Sequence, residues 1–369
     1  MIPLTEPVVN EEMIKTFESK SFLRGEAVEE FENDFAKYIG VKYGIAVNSG
    51  MSAILLSLLS VNIEKGDKVI TTPATFISTA NAIMLAGAEP VFADIDMNSY
   101  NISLGKVEEI IEKYGGKVKA IIPVHLYGYP CDMDTLLKIS NKYNIIIIED
   151  ASQAHGAEYN DNKIGSMGEV GAFSLYPTKM ITVGGDGGMI TTNNEGIAER
   201  CRELRDDGLA RDDPYIYNSI GYAARLNNIN AAIGRIQLKH IDKWNKNRSK
   251  IANLYMSRLS NVGDIKLPPK ADGKYGRVWY AFTIRTKCRD QLKEYLEKYG
   301  ICCGISYKIP VHLQPSYRKL GFEKGTYPNS ERWANEILSI PLYSQMSERD
   351  ANYVTSRIKK FYSEGIYLK

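Results

Sequence analysis

An α/β fold, with a mostly parallel sheet in a large domain and a smaller C-terminal α+β domain, is the architecture this sequence predicts, on three observations. Short β-branched runs alternate with amphipathic segments through the first two-thirds of the chain, the signature of strand–helix repeats that build a sheet covered on both faces. Near Asn227 the pattern changes to a long helical stretch whose apolar residues recur at three and four positions. A chain of 369 residues also exceeds what one hydrophobic core commonly holds. The division is placed at 1–245 for the large domain and 246–369 for the small one.

In order, "KYGIAVNSG" and "MSAILLSLLSV" read as strand then helix, and "DKVITTPA" and "FISTANAIMLAGA" repeat the unit. "EPVFADID", "VKAIIPVHLYG" with "MDTLLKISNKY", and "NIIIIEDAS" continue it, the last as a strand buried on both faces. "FSLY" and "GGMITTN" predict two short strands joined by a tight turn, and "EGIAERCRELRDDG" a helix closed by Gly208. One long helix is expected over "NNINAAIGRIQLKHIDKWNKNRSKIANLYMSRLS", bridging the domains. Beyond it come "WYAFTIRT", an amphipathic "DQLKEYLEKYG" and a Tyr/Pro-rich loop containing "KIPVHLQPSYRKLGF". The closing "SERDANYVTSRIKKFYSEG" is a helix that Ser347 and Asp350 start with a variant capping box.

The 46 basic and 44 acidic residues nearly cancel and are scattered. Charge therefore gives no ground for nucleic acid or an anionic membrane as partner, and a small-molecule ligand is expected. No apolar run reaches the roughly 18 residues that span a bilayer, and "MIPLTEPVVNEE" is acidic and proline-interrupted, unlike a signal peptide. A cytoplasmic protein is expected. Cys131, Cys201, Cys288, Cys302 and Cys303 form an odd, dispersed set without a CxxC pair, which argues against disulfides and a metal site.

Ligands of such sheets bind at the carboxyl ends of the strands, which makes Asn48, Ser49, Gly50, Thr75, His125, Asp150 and Gln153 candidates. Asp150 follows four isoleucines and needs a cation or N–H partner there, unless it is a helix N-cap. Lys179 lies between an apolar "AFSLY" and "GGDGG", where partial desolvation would free its amine to attack a carbonyl; an isolated lysine is otherwise a surface charge. Ser174 stands five positions before it. "VNSGMSAILL" offers the N–H groups of Gly50, Met51 and Ser52 at a helix start, an anion site, although strand–Gly–helix junctions also occur without one. A carbonyl-reactive lysine, an acid for a ring nitrogen and a phosphate cradle together describe a pyridoxal 5'-phosphate site.

The order and spacing of "EDASQAHGA", "FSLYPTK" with "GGDGG", "GDKVITTPATFISTANAI", "EPVFADID", "VHLYG", "RLNNINAAIGRIQL" and "PVHLQPSYR" resemble the DegT/DnrJ/EryC1/StrS sugar aminotransferases over essentially the whole chain. The resemblance implies fold type I, the aspartate-aminotransferase-like fold, and a homodimer with shared active sites. It implies that Lys179 is the Schiff-base lysine and the acid/base of the proton shift, Asp150 the partner of the pyridinium nitrogen, and Gln153 the residue at the ring 3-hydroxyl. Ser174, with Gly50, Met51 and Ser52, would hold the phosphate, and Phe76 would cover the ring.

Two positions depart from the family pattern. Met51 stands where a threonine is usual, removing one phosphate hydroxyl, and "GYAAR" has Ala223 where an asparagine usually reaches the neighbouring subunit's phosphate. Arg225 could supply charge across a dimer interface or be a surface residue. His155 could orient substrate or pack beneath the ring, and His312 could face the sugar or be structural.

The expected reaction moves an amino group from an amino acid, L-glutamate, to a keto group of a nucleotide-linked keto-deoxysugar; "GYAARLNN" is nearer the C4 than the C3 pattern. Alternatives are a sugar dehydratase of the same family, against which Lys179 argues, and a cyclitol aminotransferase. An NAD-dependent oxidoreductase would need a GxGxxG that is absent, and a non-catalytic protein would be expected to lose Lys179 or Asp150 first.

Overall fold

The computed structural model describes residues 2–3 and 25–366, so the acidic N-terminal segment, Ile2 and Pro3 apart, lies outside the described residues. In chain order the helices are α1 (Glu26–Ile39), α2 (Gly50–Ser60), α3 (Ile77–Leu85), α4 (Leu104–Tyr114), α5 (Met133–Tyr143), α6 (Glu195–Arg205), α7 (Asn228–Leu238), α8 (Ile241–Leu259), α9 (Arg289–Lys298), α10 (Pro328–Glu336) and α11 (Glu348–Ser363). The strands are β1 (Tyr43–Val47), β2 (Lys68–Thr71), β3 (Glu89–Phe92), β4 (Val118–Ile121), β5 (Ile146–Asp150), β6 (Glu158–Tyr159), β7 (Asn162–Lys163), β8 (Val170–Ser174), β9 (Gly188–Thr192), β10 (Tyr275–Gly276), β11 (Phe282–Arg285) and β12 (Ile337–Ile340).

Seven strands form one sheet in the order β1-β9-β8-β5-β4-β2-β3. All pairings are parallel except those of β9, which runs against both β1 and β8. Alternating side chains serve opposite faces: Phe173 and Met189 join a core with Phe31, Phe35 and Trp244, while Ala172 and Ile190 join one with Ile45, Leu56 and Ile148. The helix α2, apolar nearly all round, lies across β8 and β9 with Ala53 to Leu58 buried, as such helices must. A further core unites α8, α9 and α11 with the pair β11–β12.

Three local expectations change. The single long helix is two, interrupted at Lys239 and His240, because α7 packs along α1 whereas α8 turns away toward the C-terminal core. Apolar periodicity cannot report that change of direction, and the 245/246 division falls inside α8, whose Ile241 and Trp244 serve one core and Ile251 to Leu259 another. The strands β8 and β9 are joined by the loop 175–187 rather than a tight turn, closed at its base by the Leu175 N–H on the Gly187 carbonyl at 2.8 Å. Finally, α6 ends at Arg205, before Gly208, which nonetheless turns the chain at φ 85° and donates its N–H to the Glu203 carbonyl.

The capping box of α11 has a side-chain closure: Ser347 Oγ accepts the Asp350 N–H at 3.1 Å and donates to Asp350 Oδ2 at 2.7 Å. Buried Arg248 of α8 ties that helix to the segments around Trp279 and Leu342. It donates to the carbonyls of Trp279, Tyr280 and Leu342 and to Ser344 Oγ, and no described carboxylate pairs with it. No helix of the described residues is long and apolar enough to cross a membrane.

Candidate active site

A cavity of about 530 Å³ opens at the carboxyl edge of the sheet. The strands β1, β5 and β8 run the same way and end at this edge, and β9, running against β1 and β8, brings its first residue there. Gly188 consequently pairs with both Val47 and Ser174.

Asp150, 4 % exposed, lies at the end of β5 and lines the cavity. Its Oδ2 accepts the Thr79 hydroxyl at 2.8 Å and its Oδ1 the Ser152 N–H at 3.2 Å. Among the described residues no cation pairs with it, so a buried carboxylate faces the cavity without a counter-charge, an arrangement that asks for a protonated group on the ligand. Lys179, in the loop 175–187, lines the same cavity with its Nζ 4.9 Å from the centre of the Tyr280 ring.

The candidate anion cradle lies where α2 starts against β8. The N-cap Ser49 takes the Ser52 N–H on its Oγ, leaving the N–H groups of Gly50 and Met51 toward the cavity. A Cβ on Gly50 would stand 2.6 Å from Ser174 Cβ, and one on Gly188 2.3 Å from the Ser49 carbonyl oxygen. Both glycines let the helix start and the strand end close on one point. Ser174 lines the cavity there, whereas Ser52 does not: its hydroxyl is donated to Asn48 Oδ1 at 2.7 Å.

Gln153 accepts the Tyr127 N–H at 2.8 Å and donates to the Tyr307 hydroxyl at 3.2 Å, which leaves one amide N–H for a ligand oxygen. Phe76, half exposed, lines the cavity with its ring tilted by 37° against that of Tyr307, centroids 5.5 Å apart. Phe76, Lys179 and Asp150 line one cavity with Gly50, Met51 and Ser174, so a flat ring with a protonated nitrogen would meet a carboxylate there and an attached phosphate would meet a helix start and a hydroxyl. The residues present fit pyridoxal phosphate.

Other candidates are elsewhere. His125 is fully buried, with its Nδ1 accepting the Cys131 N–H at 3.0 Å and its Nε2 3.2 Å from Glu149 Oε2. His155 is also buried, outside the cavity lining, 5.3 Å from Phe173; burial, helped by the Lys179 charge, pushes its pKa down to about 3. His312 faces Glu331 at 3.2 Å and Tyr327 at 4.8 Å rather than the cavity, and burial lowers its pKa. Arg225 pairs with Asp206 and Asp207 at 2.5 and 2.7 Å, so it is no free cation within its own chain.

Tyr280, Tyr307 and Thr79 line the site without having been singled out in the sequence. The first two arrive from the C-terminal half, which local pattern cannot place. Thr79 had a signal, three residues after Phe76 on the same helix start.

The sequence from 5 to 359 matches the DegT/DnrJ/EryC1/StrS aminotransferase family, and the chain belongs to it. It is a pyridoxal-phosphate-dependent aminotransferase of fold type I. Among its relatives, the pleiotropic regulatory protein of Geobacillus stearothermophilus is 39% identical over 97% of this chain and 95% of that one. The dTDP-3-amino-3,4,6-trideoxy-alpha-D-glucose transaminase of Streptomyces venezuelae is 36% identical over 94% and 90%. A solved structure of S. venezuelae DesV, in complex with a ketimine intermediate, superposes with a TM-score of 0.92 at 34% identity, covering 98% of each chain.

Proposed function

We propose that this chain aminates the keto group of a nucleotide-linked keto-deoxysugar, taking the amino group from L-glutamate, and that it works as a homodimer in the cytoplasm. The observation that carries this reading is the meeting, in one cavity, of Lys179 with a buried Asp150 that lacks a counter-cation. Bound pyridoxal phosphate supplies a carbonyl that takes up the donor amine and a ring that draws electrons from the adjacent carbon.

The protein's part is to hold and to move protons. Asp150 keeps the ring nitrogen protonated by presenting a negative charge where water is excluded. Gln153 donates its remaining N–H to the ring oxygen. Gly50, Met51 and Ser174 offer donors to the phosphate, with the positive end of α2 behind them. Lys179 shuttles the proton between the two carbons of the transfer, and the Tyr280 ring beneath it accommodates the ammonium form. Phe76 and Tyr307, in contact with each other on the cavity wall, would pack against the ring.

A nucleotide sugar as acceptor is supported by the name of the S. venezuelae transaminase. C4 is the position proposed from "GYAARLNN"; C3 is the second reading, favoured by that relative's 3-amino product. The dimer is supported by the apolar side chains exposed on the segment 215–222, with Ile220 93 % and Tyr215 89 % exposed, a patch a second copy would cover.

The test is the absorbance of the cofactor-loaded protein before and after L-glutamate, with Lys179→Ala alongside. A visible band that glutamate removes in the wild type, and that the variant lacks, is the expected result; a band that glutamate leaves unchanged refutes the donor. NMR of the aminated product then separates C4 from C3.

A further inference from the structure

Asp150 is held by a hydroxyl relay that starts at the cavity wall. Thr79 Oγ1 is 2.8 Å from Asp150 Oδ2 and 3.1 Å from Thr75 Oγ1. Thr75, Thr79 and Asp150 are 3, 1 and 4 % exposed. A threonine hydroxyl has one proton to give. Thr79 gives its proton to the carboxylate, so the proton between the two threonines belongs to Thr75, whose oxygen keeps its lone pairs for the cavity it lines. Both O–H dipoles thus run toward the acid. Hydroxyls in a helix commonly turn back to the preceding carbonyls; that of Thr79, in the first turn of α3, instead crosses to a residue 71 positions away.

We propose that Thr79, backed by Thr75, is a positioning residue that keeps Asp150 ionised and aimed at the cofactor's ring nitrogen. The inference rests on the role of Asp150 proposed above. A donor to a carboxylate favours its charged form, and a second aligned donor strengthens the first. With Ser152 N–H on the other oxygen, the carboxylate is fixed from both sides. Without the Thr79 donor the buried charge is less well supported, and the proton shared with the ring nitrogen shifts from that nitrogen to Asp150. The ring loses positive charge and draws electrons less. A less positive ring also makes it easier to protonate the nitrogen that joins cofactor and lysine, so the pH at which the visible band interconverts rises.

The titratable groups that share the cavity with Asp150 are Lys179, Asp186, Tyr176, Tyr280 and Tyr307, and the Cys131 thiol stands behind it; the Tyr307 hydroxyl and the Cys131 thiol are un-ionised. Burial raises the pKa of both, and the charge of Asp150 adds to it. Neither changes charge in the neutral range.

The experiment is a pH titration of the visible band in the cofactor-loaded wild type and in Thr79→Val, Thr79→Ser, Thr75→Val and Asp150→Asn. Thr79→Val should move the midpoint upward by about one pH unit, a tenfold change in proton affinity, and lower kcat about tenfold with KM little changed. Thr79→Ser should restore both, and Thr75→Val should move the midpoint the same way by less. An unmoved midpoint in Thr79→Val and Thr75→Val beside a moved one in Asp150→Asn overturns the relay and leaves Asp150 its role. A midpoint unmoved in all of them overturns both. Should Thr79→Val fail to take up cofactor, Thr75→Val decides by the same shift.

Discussion

Glu149 and Asp150 follow one another on β5 and meet opposite fates. Glu149, fully buried, accepts the N–H groups of Gly165, Met167 and Gly168 at 2.9, 2.8 and 2.7 Å and faces His125. Burial alone would raise its pKa, but His125 and these donors outweigh it and hold the carboxyl below its ordinary 4.5. Asp150, one residue on and on the other face, has fewer donors and the open cavity. The strand end was legible in "IIIIED", and so was the need for partners; that His125 faces Glu149 was not, because the contact joins the segment after β4 to β5. His155 gives the residue-scale prediction. Its folded pKa is depressed from 6.5 to about 3, so its contribution to stability is complete above 6.5 and is lost as pH falls from 6.5 toward 3; the depressed Glu149 adds a loss of the same sign lower down. His155→Phe should keep roughly 2–3 kcal/mol that the wild type loses between about pH 6.5 and 4, read from urea midpoints across that range.

At the scale of elements, the reversed strand β9 decides where Lys179 sits. Because β9 runs against β8, the loop that joins them starts and ends at the ligand edge, and Lys179 is carried on it. The sequence marked both strands and the glycines between them. It suggested a tight turn where the structure has the loop 175–187; in it Gly184 turns the chain at φ 79°, and at its end Gly188 closes against the Ser49 carbonyl. The break between α7 and α8 escaped the periodicity for the reason that both halves are amphipathic and only their partners differ. Gly188→Ala should cost about 1–3 kcal/mol by overpacking and should push Ser49 and Gly50 away from Ser174. Urea unfolding and equilibrium dialysis of pyridoxal phosphate should therefore both register the change.

For the whole molecule, the large sheet supplies acid, lysine and anion cradle, while Tyr280 and Tyr307 come from the C-terminal half. Motif spacing made the first set readable and left the second hidden, since it depends on how the cores dock. The exposed segment around Ile220 supplies the prediction at this scale: Ile220→Asp should shift the dimer toward monomer in sedimentation velocity, with activity per chain falling in parallel, if a second copy covers that surface. Arg248 carries a consequence of another kind. It ties Tyr280 to α8 through neutral carbonyls, and burial holds its pKa down to about 10. Ionic strength, which weakens exposed ion pairs, finds no counter-ion to screen at this joint. The tyrosine wall beneath Lys179 should hold its place from dilute buffer to concentrated brine, and any salt sensitivity of the reaction then belongs to the charges of the substrate.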